Sequence, residues 1–258
     1  MRHPHGLIGW ADLMTTDVEA ARTFYGALFD WTSTDMPTPM GPDYTQFFRD
    51  GRLVCGMAPM PPDARAAGMP SMWNSYVIVS SLDDALAKVE AAGGHVVMPA
   101  MDVMTQGRMA MVADPSGAVI GLWQPIDHQG AEVFDEPGSM VWNELQTRDL
   151  EAAKRFYADA FGWEWELSDP NIGYWVANLA AKPGEDKTNG GAMTVPPGVP
   201  DSMPSMWFVY FAVEDCATSF GKAIDIGASF MWEPMTMGPG TFAGLVDPMG
   251  ACFVIGTM

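Results

Sequence analysis

The chain is written twice. Thr15-Thr16-Asp17-Val18-Glu19-Ala20-Ala21-Arg22-Thr23-Phe24-Tyr25 returns 132 residues later as Thr147-Arg148-Asp149-Leu150-Glu151-Ala152-Ala153-Lys154-Arg155-Phe156-Tyr157. Phe29-Asp30-Trp31 returns as Phe161-Gly162-Trp163. Met69-Pro70-Ser71-Met72-Trp73 returns unchanged as Met203-Pro204-Ser205-Met206-Trp207. Asp114-Pro115-Ser116-Gly117-Ala118 returns as Asp247-Pro248-Met249-Gly250-Ala251. Offsets that stay between 132 and 134 across separated blocks require two copies of one fold in tandem. Every candidate site can therefore be checked twice.

At 258 residues the repeat implies two domains, each of about 130 residues and long enough to bury its own core. Boundaries are expected at 1–126 for the first and 139–258 for the second, joined by a linker at 127–138 that carries His128, Gly130 and Pro137-Gly138. Hydrophobic residues make up 48% and charged residues 17%, a soluble globular balance. No apolar run approaches the ~18 residues of a membrane span, and Met1-Arg2-His3-Pro4-His5 lacks a secretory h-region. The net charge of −19 argues against nucleic acid and anionic membrane as partners, because both need a basic footprint. Cys55, Cys216 and Cys252 show neither zinc spacing nor a disulfide framework, so a reducing cytoplasm is the expected location. The 22 methionines suit irregular core gaps and also adaptable apolar pockets.

Helices alternate with runs of strands. Asp17 caps a helix whose Val18, Ala21, Tyr25 and Leu28 recur at helical spacing, and strand-like runs follow at 44–49 and 53–59. The stretch from Pro61-Pro62 to Met69 reads as a linker. A second unit then opens with a strand at 73–79, a helix at 82–92 stopped by Gly93-Gly94, and three more strands. The second half repeats the plan. Four βαβββ units, two per domain, make an α+β protein rather than a doubly wound sheet.

The segment from Thr15 to Tyr25 with Leu28-Phe29-Asp30-Trp31 behind it, and the closing Val112-Ala113-Asp114-Pro115-Ser116-Gly117 hairpin, resemble a vicinal oxygen chelate domain in both halves. That superfamily includes glyoxalase I, extradiol dioxygenases, and bleomycin and fosfomycin resistance proteins. The resemblance implies curled mixed sheets whose cup holds the ligand, often on a divalent metal bound by a first-strand His and a last-strand Glu. One fold hosts many chemistries, so the site must decide.

The family's His positions fall on Trp10 and Trp142 and, in the second unit of each half, near Asn74 and Phe208; its Glu positions fall on Gly121 and Val254. An indole nitrogen only donates, and Gly and Val offer no ligand. His3, His5, His95 and His128 lie in loops or at edges. No family-type metal centre and no other cofactor is expected.

What the cup would hold instead starts from strand alternation, which sets Trp10 with Asp12 on one face and Trp142 with Glu144 on another. Trp supplies a flat apolar contact area; a partly desolvated carboxylate can act as a general base. The plainer reading makes the indoles core anchors and leaves the carboxylates bound to local donors. Trp73 and Trp207 are candidates for the cups or for a domain interface, and Asn74 for ligand binding. Arg108 would hold an anionic ligand or pair with Asp12. The halves also diverge in loops, at 32–44 with Met36, Pro39 and Met40, and at 163–166 and 182–189. No phosphate loop or Gly-x-Ser-x-Gly elbow is present.

The leading expectation is a small-molecule-binding protein or metal-independent enzyme, with Asp12 or Glu144 as base. One alternative is a metal-dependent lyase or dioxygenase with off-pattern ligands such as Asp12, Glu144 and Asn74. Another is a sequestering protein of the drug-resistance type. The expected assembly is a monomer with paired domains or a homodimer.

Overall fold

Four helices start at side-chain caps. Asp17 accepts the Ala20 N–H at 3.0 Å to open α1 (Val18–Phe29), and Asp149 accepts the Ala152 N–H at 3.0 Å to open α4 (Leu150–Phe161). Ser81 and Asp215 do the same for α3 (Leu82–Ala91) and α5 (Cys216–Asp225). Each such cap contributes about 1 kcal/mol. Gly162 ends α4 in the left-handed region at φ 75°, whereas Asp30 ends α1 at φ 57° without a glycine's freedom. The helices bury matching faces: Ala21, Phe24, Tyr25, Leu28 and Phe29 in α1, and Ala153, Phe156, Tyr157, Ala160 and Phe161 in α4.

The structure, a computed structural model, describes residues 2–38, 41–238 and 240–257. Pro39 and Met40 of the first divergent loop lie outside them. The strands of the first half are β1 (Ile8–Thr15), β2 (Thr32–Met36), β3 (Tyr44–Arg49), β4 (Arg52–Pro59), β5 (Met72–Ile78), β6 (His95–Val103), β7 (Gly107–Ala113) and β8 (Val119–Pro125). Those of the second are β9 (Met140–Thr147), β10 (Glu164–Asp169), β11 (Tyr174–Asn178), β12 (Thr188–Thr194), β13 (Met206–Ala212), β14 (Ser229–Met237), β15 (Gly240–Val246) and β16 (Cys252–Thr257). They form two open, mixed, eight-stranded sheets ordered β2-β3-β4-β1-β5-β8-β7-β6 and β10-β11-β12-β9-β13-β16-β15-β14. The α+β plan of four βαβββ modules is thus present, one module after another along the chain.

Three elements depart from the sequence reading. The first five residues of the 32–44 loop are the strand β2, and Glu164–Asp169 is the strand β10. Both lie at sheet edges, where solvent replaces one neighbour and the apolar alternation that marks a strand is lost. The Pro61-Pro62 linker contains a one-turn helix, α2 (Pro62–Ala66), with proline at its first position, where no amide hydrogen is needed.

The chain divides into two compact units. One comprises residues 1–10, 75–130 and 142–208; the other comprises 11–74, 131–141 and 209–258. Each unit takes one βαβββ module from each half of the sequence.

Within each unit the repeated motifs meet in a hydrogen-bonded frame. In the second unit the Trp73 indole donates to the Tyr25 hydroxyl at 2.9 Å, and Tyr25 donates to Asp247 at 2.8 Å. The other oxygen of Asp247 accepts the N–H groups of Met249 and Ala251 and so shapes the Asp-Pro-x-Gly turn. In the first unit Trp207 donates to Tyr157 at 2.8 Å and Tyr157 to Asp114 at 3.2 Å, while Asp114 holds its own turn through Ser116 and Ala118. The remaining indoles of the motif fasten strand entries: Trp31 donates to the Gly138 carbonyl and Trp163 to that of Gly6, both at 2.7 Å. Burial, followed by the charge of Asp247 or Asp114, pushes the Tyr25 and Tyr157 hydroxyls well above the ordinary tyrosine range. The frame joins a helix of one half to a hairpin of the other, and this is why the compact units mix the halves.

Candidate functional site

Asp12 sits in β1 directly opposite Gly56 of the parallel neighbour β4. Glu144 sits in β9 opposite Gly191 of β12, in the same relation. Both carboxylates are buried. Burial of a carboxylate is tolerable only with donors, and both have them. Asp12 accepts the Asn74 amide at 3.0 Å through one oxygen and the Tyr44 hydroxyl at 3.3 Å through the other. Glu144 accepts the Gln146 amide at 2.9 Å and is hydrogen-bonded by the Tyr174 hydroxyl. Tyr174 in turn accepts the Trp142 indole N–H at 2.7 Å.

The phenols reach the carboxylates because glycine faces them. A methyl group built on Gly56 would run into the Tyr44 hydroxyl, and one on Gly191 into the Tyr174 hydroxyl. Each tyrosine thus fills the space that a side chain on β4 or β12 would take. Burial and then the charge of Glu144 drive the Tyr174 hydroxyl far above its ordinary range, so it stays a neutral donor. The result in each half is a carboxylate proton acceptor met by a tyrosine hydroxyl from two strands away, across the glycine of the strand between them.

The sequence reading named the carboxylates but not their partners Tyr44 and Tyr174, nor Gly56 and Gly191. A signal existed: both third strands of the leading modules begin at a tyrosine, and a glycine recurs in both fourth strands.

Other candidates sort by strand face. Trp142 joins the Glu144 cluster as alternation requires. Trp10 is buried edge-on to His128, ring centroids 4.4 Å apart. Asn74 belongs to the Asp12 cluster. Trp73 and Trp207 do not face a cup: Trp73 alternates with Asn74 along β5, so it points to the opposite face, and both indoles are buried in the tyrosine frame. Arg108 does not pair with Asp12. It makes a two-pronged bond to Asp83 at 3.0 and 3.1 Å and approaches Asp102 at 3.2 Å. It is drawn there because α3 carries a first-turn acid within reach of β7. An open groove of about 510 Å³ beside Glu164, Glu166, Glu185 and Lys187 includes neither carboxylate.

The family resemblance implies a divalent metal, and the residues at its positions do not fit one. Trp10 and Trp142 carry donor-only nitrogens, Phe208 and Val254 are apolar and buried, and the space above Gly121 is occupied by the Tyr76 ring. The Asn74 amide group is turned toward Asp12 as a donor. Among the described residues no group of three or more His, Cys, Asp or Glu is placed to hold a metal ion.

Comparison with known proteins places this arrangement in a family. The profile described as the glyoxalase/bleomycin resistance protein/dioxygenase superfamily matches residues 7–122 and again 139–255. CFP32 of Mycobacterium bovis, which carries a provisional glyoxylase name, is 40% identical over 253 residues, spanning 97% of this chain and 94% of its own. The anthracycline biosynthesis protein DnrV of Streptomyces peucetius is 36% identical over 265 residues, spanning 98% and 94%. Among solved structures, the Mn(II)-bound glyoxalase from Novosphingobium aromaticivorans superimposes with a TM-score of 0.65 at 15% identity, covering 98% of this chain and 82% of that one. A 2,2',3-trihydroxybiphenyl 1,2-dioxygenase from Sphingomonas wittichii gives 0.66 at 13% identity, covering 99% and 91%. At such identities the structures speak for the fold alone. With the family profile matched in both halves, the chain belongs to the glyoxalase/bleomycin resistance protein/dioxygenase superfamily.

Proposed function

We propose that this protein binds a small oxygen-bearing organic molecule and moves a proton on it at Asp12 or Glu144, without a family-type metal centre. The observation that carries the reading is the carboxylate–tyrosine pair seated across a glycine, built once in each half from different neighbours. A carboxylate is a competent general base when its pKa suits the proton it must take. The phenol beside it offers a neutral donor for the oxygen on which charge develops. When a ligand oxygen draws the phenol away, the carboxylate loses a stabilising donor and becomes more basic as the ligand arrives.

The provisional glyoxylase name of CFP32 and the anthracycline biosynthesis role in the name of DnrV both fit chemistry on oxygenated carbon compounds. The family positions of the metal ligands carry indole, phenyl, isopropyl and hydrogen side chains and one carboxamide, Asn74, whose amide group donates to Asp12, which is why the reading omits the metal.

Metal analysis after exhaustive dialysis is the first test. The expected result is no stoichiometric divalent ion, and a retained equivalent would overturn the reading. Asp12→Asn and Glu144→Gln test the base. The expected result is loss of turnover in at least one variant with a native fold; full turnover in the double variant would exclude both carboxylates.

A further inference from the structure

Four methionines share one face of the β6–β7 hairpin. Met98 stands opposite Met111, and Met101 stands opposite Met109. Directly opposed residues of an antiparallel pair have Cβ atoms about 4.5–5.5 Å apart. Met109 and Met111, two residues apart on β7, project to the same side. A register shift between Met98 and Met101 takes up the extra residue of β6 and keeps both pairs in step.

The face is the one turned away from α3. Arg108, Ala110 and Val112 alternate with the methionines along β7; Arg108 binds Asp83 of α3, and Ala110 and Val112 are fully buried. Met98, Met109 and Met111 are half-buried, and Met101 is 47% exposed. On the inner side Met111 faces Gly121, over which the Tyr76 ring lies, and Met109 faces Trp123. β6 is the last strand of the sheet, so the thioethers lie between these buried rings and the sheet edge. All of these residues belong to one compact unit.

Apolar filling does not require sulfur at these positions. In the second half the corresponding pairs are Trp232 with Gly244 and Met235 with Phe242. The fold accepts indole, hydrogen and phenyl there. What sets four thioethers apart is their donor chemistry. Thioether sulfur is a soft, neutral ligand that suits Cu(I), whereas Mg, Ca and Mn ions go to oxygen. Methionine is also unbranched and flexible enough to turn its sulfur toward a common centre. A singly charged ion costs less to bring against apolar surroundings than a doubly charged one.

We propose that Met98, Met101, Met109 and Met111 form a thioether site for Cu(I). The site uses neither Asp12 nor Glu144 nor any of the family's ligand positions, so it is independent of the small-molecule reading above.

Ag(I) is the first probe, because it shares the charge and soft character of Cu(I) and is stable in air. Methionine-methyl NMR reads the sulfurs directly and separates them from the thiols of Cys55, Cys216 and Cys252. One equivalent of Ag(I) is expected to shift the methyl signals of the four residues and leave the other methionines in place, and Zn(II) should shift none. Affinity for Cu(I) follows from anaerobic competition with a coloured chelator, in a Cys252→Ser background that removes the least buried thiol. Leucine keeps the volume and removes the sulfur. Met109→Leu and Met111→Leu should each weaken binding about tenfold, and the fourfold leucine variant should lose the site. Met235→Leu, at the corresponding position of the second half, should change nothing.

Failure of Ag(I) to move these four signals would overturn the site, as would equal shifts at exposed methionines elsewhere, such as Met69. So would Cu(I) affinity that survives in the fourfold variant. The wild-type methyl shifts carry the test alone if that variant does not fold. Copper retained by the wild-type protein but not by the fourfold variant belongs to this face and leaves the carboxylate reading intact.

Discussion

The tyrosine frames of the two units are alike, and the sheet faces are not. Trp73–Tyr25–Asp247 and Trp207–Tyr157–Asp114 repeat the same donors, acceptors and order. Across the sheets, register places Tyr76, Gly121, Met111 and Met98 in one row, and Tyr210, Val254, Gly244 and Trp232 in the equivalent row. In the first row the Tyr76 ring lies over Gly121; in the second the Trp232 ring lies over Gly244. Met111 and Met98 of the first row give way to Gly244 and Trp232 in the second, so the ring rests on a different strand in each. The carboxylate sites diverge similarly, with Asn74 beside Asp12 and with Trp142 and Gln146 near Glu144. Duplication has kept the parts that hold modules together and varied the parts that face outward from the frame. A single substitution in a buried polar network leaves a partner unsatisfied, whereas a sheet face can be refilled in several ways.

The comparison breaks first at the frame. Trp73→Ala and Trp207→Ala each remove a buried indole and should cost about 3–5 kcal/mol in denaturant unfolding; a large inequality between them would show that the frames are not equivalent. Tyr25→Phe and Tyr157→Phe keep the rings but strand a buried carboxylate oxygen and an indole N–H. Each should cost about 1–3 kcal/mol by the same measurement.

Gly56→Ala and Gly191→Ala probe the diverged sites, since the added methyl must displace the Tyr44 or Tyr174 hydroxyl. Each should lose about 1–3 kcal/mol, and a neutral result at one position would show that its phenol is free to move. Alkaline titration follows. The folded-state pKa values of Tyr25, Tyr157 and Tyr174 all lie above the ordinary value. A raised folded pKa means that stability is fully present below about pH 10 and is lost as pH rises beyond it. The double variant Tyr25→Phe, Tyr157→Phe should flatten that decline. The smallest effect is expected at Asp83→Asn, which breaks the exposed pairing with Arg108. Its unfolding midpoint should not move measurably.

Legibility in the sequence followed the same division. The cap at Asp17, the stop at Gly93-Gly94 and the Asp-Pro-x-Gly turns are local devices, and their elements stand where the spacing puts them. The edge strands β2 and β10 were not legible, because partial exposure removes the alternation that identifies a strand. Strand period was enough to group Trp142 with Glu144. It could not show that Trp10 turns to His128 or that Arg108 is held by Asp83.

By itself the sequence determined that two like folds stand in tandem, that each is α+β, and that Trp, Phe, Gly, Val and one Asn stand where the family's His and Glu ligands are expected. Only the tertiary structure decided that Tyr25 bonds to Asp247 and Tyr157 to Asp114, so that each compact unit joins modules from opposite halves. It alone also brought Tyr44 to Asp12 and Tyr174 to Glu144. Caps, turns and strand period act over a few residues and leave a local signature. A hydrogen bond spanning 222 residues, or a phenol lying over a glycine of the neighbouring strand, depends on which strands pair and in what register, and local spacing does not encode that.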